Sequence, residues 1–260
     1  MAEPELLTET AGTIRVLTIN RPERSNSLSR SLQGLLVEEL LRAGEDPNVR
    51  VIVLTGSGDR VFCAGADLKE IAANDAAGRP FRPPMGHPER QLFEVVTETF
   101  KPTIAALNGS AVAGGFELAL ACDIRIAVEG ISLGLPEARI GMGANFGSVV
   151  LPKRIPLGIA LEMLFTADYF GTEVAERWGL LNRVVPAADL MPETMKLAAR
   201  IAANAPLSIR SMKEKAIKGL ELPLWSALRL DVGPNPYLSE DRREGIRARL
   251  EKRTPEWKGR

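Results

Sequence analysis

Apolar residues in the first half of the chain alternate between the spacing of strands and the spacing of helices. Residues 14–20 alternate loosely and residues 49–55 are β-branched and apolar, so both segments predict strands, whereas residues 32–41 recur at helical spacing. Residues 103–107 and 123–128 predict further strands. This order is typical of β-α-β units, and it predicts an α/β fold.

The second half of the chain has a different pattern. Strand-like segments stop after about Val185, and helical spacing dominates from Asp189 onward. The charged final segment is expected to form a helix whose N-cap is Ser239. We therefore predict an α/β core in residues 1–188 and a helical region in residues 189–260.

Charge and hydropathy limit the possible partners. The 260 residues are 45% hydrophobic, which is enough for a large core, and 33 basic residues balance 33 acidic ones. The chain thus lacks the overall field of nucleic-acid binders, and a phosphate-bearing ligand must be held by local groups. The N-terminus has neither a basic region nor an apolar run, and no segment approaches the roughly 20 apolar residues of a membrane span. We expect a cytoplasmic protein with no nucleic-acid or membrane partner.

The scarcity of histidine and cysteine argues against several kinds of chemistry. His87 is the one histidine, and it lies in the proline-rich residues 79–88, which are expected to form an exposed loop near the mouth of a site. This arrangement disfavours Ser-His-Asp, Cys-His and histidine-rich metal sites, so no metal is expected. Cys63 and Cys122 are expected to be reduced and packed as small apolar groups. Residues 56–61 lack the third glycine of a dinucleotide fingerprint, and no Walker sequence occurs.

Two loops rich in glycine and alanine are candidates for binding a ligand through backbone groups. FCAGADLKE, residues 62–70, precedes a predicted helix, and in NGSAVAGGFE Gly114 and Gly115 open a second one that continues through residues 117–121. The first N–H groups of such a helix are free to donate. Two such loops can aim donors at one carbonyl oxygen that gains negative charge, although each alone is also typical of a tight turn before a helix.

Two glutamates complete this set of groups. Glu117 lies in the first turn of the glycine-opened helix, and Glu137 follows an apolar segment in LGLPEARIG. Near one substrate, the two carboxyl groups can divide the acid and base roles between them. Two structural alternatives remain open: Glu117 complements a helix dipole, and Glu137 is an acidic residue at a helix start after Pro136.

The segments FCAGADLKE, KPTIAALNGSAVAGGFELALACDIRIA and LPEARIG resemble the crotonase (enoyl-CoA hydratase/isomerase) superfamily in order and spacing. The similarity extends from NRPERSNSL at Asn20 through RWGLLNRVV at Arg177 to the closing EKRTPEWKGR. It implies the crotonase (ClpP/crotonase-like) spiral of ββα units, followed by a C-terminal helical region that builds a homotrimer, often doubled to a homohexamer.

The resemblance also implies a site for an acyl-CoA thioester. The oxyanion hole corresponds to the backbone N–H groups of Ala66 and Gly114, and Glu117 and Glu137 correspond to the two glutamates that hold water in hydratases. Coenzyme A, as part of the substrate and not as a separate cofactor, is expected to contact Arg24, Ser25, Ala64, Ala66, Asp67, Lys69 and Gly114. Asp67 is further expected to cap and orient its loop. Arg24 as a surface charge and Lys69 as a solvated helix residue remain alternatives.

In the family that the chain resembles, the presence of both glutamates implies an enoyl-CoA hydratase or a 3-hydroxyacyl-CoA dehydratase. A Δ-isomerase that uses Glu137 alone and a non-catalytic acyl-CoA binder are the alternatives. GFELALACD, LPEARIG, LPK, RWGLLNRVV and PEWKGR are particularly similar to carnitinyl-CoA dehydratase-like members. One segment departs from the family: GMGANFGSVVLP follows Glu137, so either Asn145 or Phe146 intrudes on the acyl pocket or the loop is rerouted away from it.

Overall fold

Strands and helices alternate along the computed structural model of the chain, which describes residues 3–81 and 89–260. The strands are β1 (Leu6–Ala11), β2 (Ile14–Ile19), β3 (Val51–Gly56), β4 (Val61–Cys63), β5 (Thr103–Leu107), β6 (Ser110–Val112), β7 (Ile124–Val128), β8 (Ser132–Gly134), β9 (Phe170–Gly171) and β10 (Arg183–Val185). The α-helices are α1 (Arg30–Glu45), α2 (Leu68–Ala76), α3 (Leu92–Glu98), α4 (Gly114–Ala121), α5 (Asn145–Val150), α6 (Leu157–Thr166), α7 (Thr172–Arg177), α8 (Leu190–Ala202), α9 (Pro206–Gly219), α10 (Leu224–Ala227) and α11 (Glu240–Glu251).

The larger sheet has the order β1-β2-β3-β5-β7-β10, in which β1 is antiparallel to β2 and the remaining pairs are parallel. Every residue of β3 and of β5 is buried, as expected for parallel strands that are covered on both faces. The predicted strands at residues 14–20, 49–55, 103–107 and 123–128 are confirmed. The antiparallel edge strand β1 was missed, because its LLTETA sequence is largely exposed and has no buried run.

A second sheet with the order β4-β6-β8-β9 was also missed, since strands of two or three residues are too short to show a period. β4, β6 and β8 run parallel to one another, and each follows a strand of the larger sheet. α2 follows β4, α4 follows β6, and a 3-10 turn at Pro136–Ile140 follows β8. Three successive ββ-helix units therefore bring their loops to one edge of the small sheet, where the carboxyl ends of its parallel strands meet.

Helices cover the larger sheet and continue to the C-terminus. α1 begins after Ser29, whose side chain accepts the N–H of Leu32, and its core-facing leucines are fully buried. α8 packs against β3, β5 and β7, and α11 begins after Ser239, whose side chain accepts the N–H of Arg242. The helical character of the C-terminal region and its predicted N-cap are thus confirmed. The boundary at residue 188 and a role of this region in trimer formation stay predictions.

Both cysteines lie in the core. Cys63 and Cys122 are free and buried, and burial raises the pKa of each thiol to about 12. This confirms the prediction that they pack as small apolar groups. Across residues 3–81 and 89–260, no helix combines the length and apolar character needed to cross a bilayer. The cytoplasmic location stays a prediction.

Candidate active site

Two loops that were predicted to carry backbone donors lie against each other. Gly65 has φ +81°, and a Cβ on it would lie 2.7 Å from the backbone nitrogen of Gly114. A Cβ on Gly114 would in turn lie 3.8 Å from the backbone nitrogen of Ala66. Within the described part of the chain, neither the Ala66 nor the Gly114 N–H donates a hydrogen bond. The structure therefore brings together two free amide donors, as the sequence predicted.

The loop of Ala66 is held in place by hydrogen bonds with the connection between β2 and α1. The N–H of Leu28 donates to the carbonyl oxygen of Gly65 at 2.7 Å, and the N–H of Ala64 donates to that of Ser25 at 3.1 Å. Ser25 adopts a left-handed conformation with φ 52°. Ala64 and Ser25 were both predicted to contact coenzyme A, and this hydrogen bond occupies the Ala64 N–H.

The second donor loop enters α4 through a sharp turn. Ala113 has φ 51°, and its carbonyl oxygen accepts the N–H groups of Phe116 and Glu117. Gly115 packs directly on the preceding unit, because a Cβ there would lie 2.0 Å from the carbonyl oxygen of Cys63. This close approach presses α4 against β4 and fixes the direction of the free Gly114 N–H.

Glu117 projects from the first turn of α4 into a buried environment. Only 6% of the residue is exposed, and Oε1 accepts the N–H of Gly147 in α5 at 2.7 Å. Burial raises the pKa of Glu117 to about 7, the Gly147 N–H opposes this shift, and the nearby charge of Glu137 adds to it. Glu117 is therefore poised to exchange a proton near neutral pH.

Glu137 lies in the 3-10 turn that follows β8, directly after Pro136. The residue is 7% exposed, and burial raises its pKa. Among the described residues, its Oε2 has no hydrogen-bond partner. Two neighbouring carboxyl groups with raised pKa values can hold a single proton between them, which is the state that paired acid and base chemistry needs.

Asp67 links the Ala66 loop to two arginines. Its carboxylate lies 2.6 Å from Arg24 and 3.0 Å from Arg21, and it accepts the N–H groups of Lys69 and Glu70 at the start of α2. Burial raises the pKa of Asp67, but the hydrogen bonds from Arg24 and Arg21 outweigh it, so the pKa falls to about 2. The predicted capping role of Asp67 is confirmed.

The side chains that were predicted to contact coenzyme A differ in whether they are paired within the protein. Arg24, Asp67 and Lys69 line one open surface depression together with Arg21. The Arg24 guanidinium is paired with Asp67, whereas the Lys69 side chain is exposed. Sequence reasoning missed Arg21, although its position in NRPERSN, three residues before Arg24, was a visible signal.

The atypical segment after Glu137 reaches the site and is not rerouted away from it. It forms α5, whose Gly147 holds Glu117 and whose Phe146 packs on Phe93 with ring centroids 5.4 Å apart. Asn145 is half-buried at the first position of this helix. Of the two residues expected to intrude, Phe146 makes the aromatic contact, and Phe93 is a partner that sequence reasoning missed.

The remaining predictions concern metals, cofactors and the proline-rich loop. Among the residues that the structure describes, no group of His, Cys, Asp and Glu side chains could hold a metal ion. His87 and most of the proline-rich loop lie outside the described residues, so the expected loop near the mouth of the site stays a prediction. The absence of a separate cofactor likewise stays a prediction.

Comparisons with known proteins show the family to which the chain belongs. A family model described as "Enoyl-CoA hydratase/isomerase" matches residues 9–260. Carnitinyl-CoA dehydratases of Proteus mirabilis (strain HI4320) and Escherichia coli (strain K12) are each 40% identical, over 96% of this chain and 97% and 96% of theirs.

The fold is similar to those of solved enoyl-CoA hydratase structures. An enoyl-CoA hydratase from Bacillus anthracis superposes with a TM-score of 0.88 at 34% identity, and one from Mycobacterium tuberculosis H37Rv with 0.88 at 33%. Each comparison covers 99% of this chain and 100% of the other. The predicted crotonase-type α/β fold is thereby confirmed.

Proposed function

Because the chain belongs to the enoyl-CoA hydratase/isomerase family, we propose that it is an enoyl-CoA hydratase that adds water across the α,β double bond of an acyl-CoA thioester. The reverse reaction dehydrates a 3-hydroxyacyl-CoA. One observation carries the proposal: two buried carboxyl groups with raised pKa values, Glu117 and Glu137, belong to the elements that follow β6 and β8, and the free N–H groups of Ala66 and Gly114 lie beside each other in the loops after β4 and β6. Water addition needs a base, an acid and an anion site together.

The proposed base is Glu117. Its carboxylate takes a proton from water as the water oxygen forms a bond to Cβ, and the electrons of the double bond move toward the thioester oxygen. The hydrogen bond from Gly147 supports this assignment, because an N–H donor favours the ionised carboxylate.

The proposed acid is Glu137. The enolate oxygen formed in the first step is held by the N–H groups of Ala66 and Gly114, and Glu137 then gives its proton to Cα as the carbonyl re-forms. Glu117 ends protonated and Glu137 ionised, so transfer of one proton from Glu117 to Glu137 restores the starting state. No described residue donates a hydrogen bond to Oε2 of Glu137, which supports a neutral acid, since an anion at this oxygen has no donor from them.

Recognition of coenzyme A is assigned to the depression beside Ala66. Arg24, Lys69 and the backbone of Ser25, Ala64 and Ala66 are the proposed contacts, with Asp67 holding the loop. The exposed Lys69 supplies a positive charge for phosphates in this depression, whereas Arg21 and Arg24 are paired with Asp67.

A more specific activity is the second candidate. The curated relatives at 40% identity are named carnitinyl-CoA dehydratase, which favours a cationic acyl group over a plain hydrocarbon chain. A Δ-isomerase would need only Glu137, and a non-catalytic binder would need neither carboxyl group. The burial of both glutamates and the effect of the Glu137 charge on the pKa of Glu117 weigh against these two alternatives.

We also propose that the protein is a homotrimer or homohexamer. Large hydrophobic side chains are exposed in the C-terminal helical region, namely Met212, Leu220, Leu222, Leu224, Trp225, Leu228, Tyr237, Leu238, Ile246 and Leu250. A concentration of this kind is typical of a protein–protein interface. A monomeric mass in light scattering contradicts this proposal.

The function is tested with purified protein and two thioesters, crotonyl-CoA and crotonobetainyl-CoA. Loss of the enoyl thioester absorbance is followed for the wild type, Glu117→Gln, Glu137→Gln and the double variant. We expect each substitution to lower kcat by about 100-fold or more. Glu38→Gln is the matched control, because Glu38 lies on the exposed side of α1. Double-bond migration without hydration, or retention of activity in Glu117→Gln, contradicts the hydratase assignment.

A further inference from the structure

A cavity of about 260 Å³ lies at the end of the larger sheet where β3 and β5 begin. Its walls come from the C-terminal end of α1, the residues before β3 and β5, the connection between α8 and α9, and residues 257–259. β3 and β5 lead through β4 and β6 to the donor loops at their other ends, and the six residues of β3 span about 20 Å. The cavity is therefore separate from the candidate active site.

Gly44 borders open space in this cavity. The residue is half-buried near the end of α1, yet a Cβ on it would meet no heavy atom within 4 Å beyond its chain neighbours and the backbone of its own helix. Within a helix, glycine is less favourable than alanine by about 1 kcal/mol. Since no close neighbour in the fold requires a glycine here, the space in front of Gly44 is available to a ligand.

Two basic side chains of the cavity wall are held by neutral acceptors. The Arg50 guanidinium donates to the carbonyl oxygens of Ala202 and Trp257 at 3.0 and 3.1 Å. Nζ of Lys101 donates to the carbonyl oxygen of Ala43 at 2.7 Å. These carbonyl groups fix the positions of the two cations, but they carry no charge that would balance a guanidinium or an ammonium group.

Arg210 of α9 adds a third cation to the wall. Within the described residues its side chain has no ion pair or hydrogen bond, and its charge acts on Lys101. Burial lowers the pKa of Lys101 to about 8, Asp46 opposes this shift, and the charges of Arg210 and Arg15 add to it. Glu45, the acidic residue of the wall, is exposed. An anion bound between Arg210 and Lys101 would remove the repulsion between them.

Apolar side chains form much of the remaining wall, among them Phe100, Trp257, Ile201, Leu207 and Ile209. One water molecule occupies about 30 Å³ in the liquid, so a cavity of this size holds on the order of ten non-hydrogen atoms. Apolar walls with a few convergent polar groups are typical of small-molecule sites. The ligand that fits is small, with an anionic head and an apolar body.

We propose that this cavity is a second binding site, which takes a small organic anion, either a carboxylate or a phosphate monoester. Arg210 and Lys101 hold the anionic group, and Phe100 and Trp257 contact the apolar body. Because the walls come from segments that are distant in sequence, the site exists only in the folded state, and a bound anion stabilises that state. The inference does not depend on the proposed hydratase function.

Binding is measured by calorimetry with benzoate, its neutral isostere benzamide, and phenyl phosphate as probes. We expect each anion to bind about tenfold or more tightly than benzamide, because a charged acceptor strengthens the hydrogen bonds from Arg210 and Lys101. The tighter of the two anions identifies the preferred head group, and its addition should raise Tm. Equal affinity for benzoate and benzamide, or no binding of either anion, overturns the inference.

Two variants locate the site. Gly44→Leu places a side chain in the open space and is expected to abolish binding of all three probes. Arg210→Gln is expected to weaken binding of the anions about fivefold or more, with little change for benzamide. The matched controls are Gly34→Leu, at an exposed position of α1, and Lys215→Gln, exposed on α9 outside the cavity wall. Anion binding that is unchanged in both Gly44→Leu and Arg210→Gln contradicts the assignment.

A last measurement separates this site from the depression assigned to coenzyme A. Benzoate binding to the Glu117→Gln, Glu137→Gln double variant is measured with and without saturating crotonyl-CoA, and to a Lys69→Gln variant alone. We expect the same affinity in all three cases. Displacement of benzoate by the thioester, or loss of its binding in Lys69→Gln, would place the anion in the other depression and overturn the inference.

Discussion

The N–H of Gly147 donates a 2.7 Å hydrogen bond to Oε1 of Glu117, across 30 residues of sequence. Through this contact, α5 places a donor on a carboxyl group that α4 carries into the core. Burial raises the pKa of Glu117 to about 7, and the donor keeps it from rising further. The proton affinity of the proposed base thus depends on the packing of two short helices.

Gly147→Ala tests this hydrogen bond. A Cβ at this position would lie 2.6 Å from Cδ1 of Leu135 and 3.4 Å from Oε1 of Glu117, so either the Leu135 side chain or α5 must move, and movement of α5 lengthens the hydrogen bond. We expect kcat near pH 7 to fall by roughly three- to tenfold, and the pKa that limits the rate at low pH to rise. Steady-state kinetics across pH 5.5–9 check the prediction. Gly34→Ala, at an open position on α1, is the control and should leave both values unchanged.

The pH dependence of hydration reports the proposed base. Since Glu117 must be ionised to accept a proton from water and its pKa is about 7, kcat/KM is expected to fall as the pH is lowered through that value. Rates of crotonyl-CoA hydration between pH 5.5 and 9 measure it. A profile that is flat across this range would show that another group limits the reaction.

The same titration makes stability depend on pH. Burial raises the pKa of Glu117 in the folded state from 4.5 to about 7, so its contribution to stability is fully present below pH 4.5 and is lost as the pH rises through about 7. The corresponding change in the free energy of unfolding is about 3 kcal/mol. Urea denaturation of the wild type and Glu117→Gln at pH 5 and pH 8.5 isolates it. Relative to the wild type, the free energy of unfolding of the variant should be higher by about 3 kcal/mol at pH 8.5 than it is at pH 5.

Asp67→Asn tests the anchor of the Ala66 loop. The amide keeps an oxygen for capping α2 but loses the charge that pairs with Arg21 and Arg24, so the free energy of unfolding should fall by about 1–3 kcal/mol. The pKa of Asp67 is lowered to about 2, so this stabilisation is present above pH 3.8 and lost as the pH falls through 2. Asp75→Asn, on the exposed side of α2, is the matched control. Equal stability of both variants at pH 7 would refute the anchoring role.

Gly114 and Gly115 are adjacent but should tolerate alanine very differently. A Cβ on Gly115 would lie 2.0 Å from the Cys63 carbonyl oxygen, which is backbone, so Gly115→Ala is expected to cost about 3 kcal/mol of unfolding free energy. Replacement of glycine by alanine within a helix usually increases stability, so the expected effect at Gly115 has the opposite sign. A Cβ on Gly114 meets nothing closer than 3.4 Å, so Gly114→Ala should fold with nearly unchanged stability. Thermal and urea denaturation of the two variants provide the comparison.

Much of the larger sheet could be predicted from local sequence, because most of its strands are buried and five or six residues long. β3 and β5 are apolar at nearly every position, and α1 keeps its leucines at helical spacing. The edge strand β1 could not be predicted in this way, since an exposed antiparallel strand needs no continuous apolar run. The small sheet was missed because its pairing is non-local and each strand is too short for a periodic signal.

The sequence by itself determined which chemical groups exist in this protein: two donor loops around Ala66 and Gly114, two glutamates, one histidine and no excess charge. Only the tertiary structure decided how these groups act together. Parallel pairing of β4, β6 and β8 brings three distant loops to one edge, and burial there raises the pKa values of Glu117 and Glu137. The physical reason is that desolvation and the hydrogen bond from Gly147 depend on neighbours supplied by other elements, which no local sequence pattern encodes.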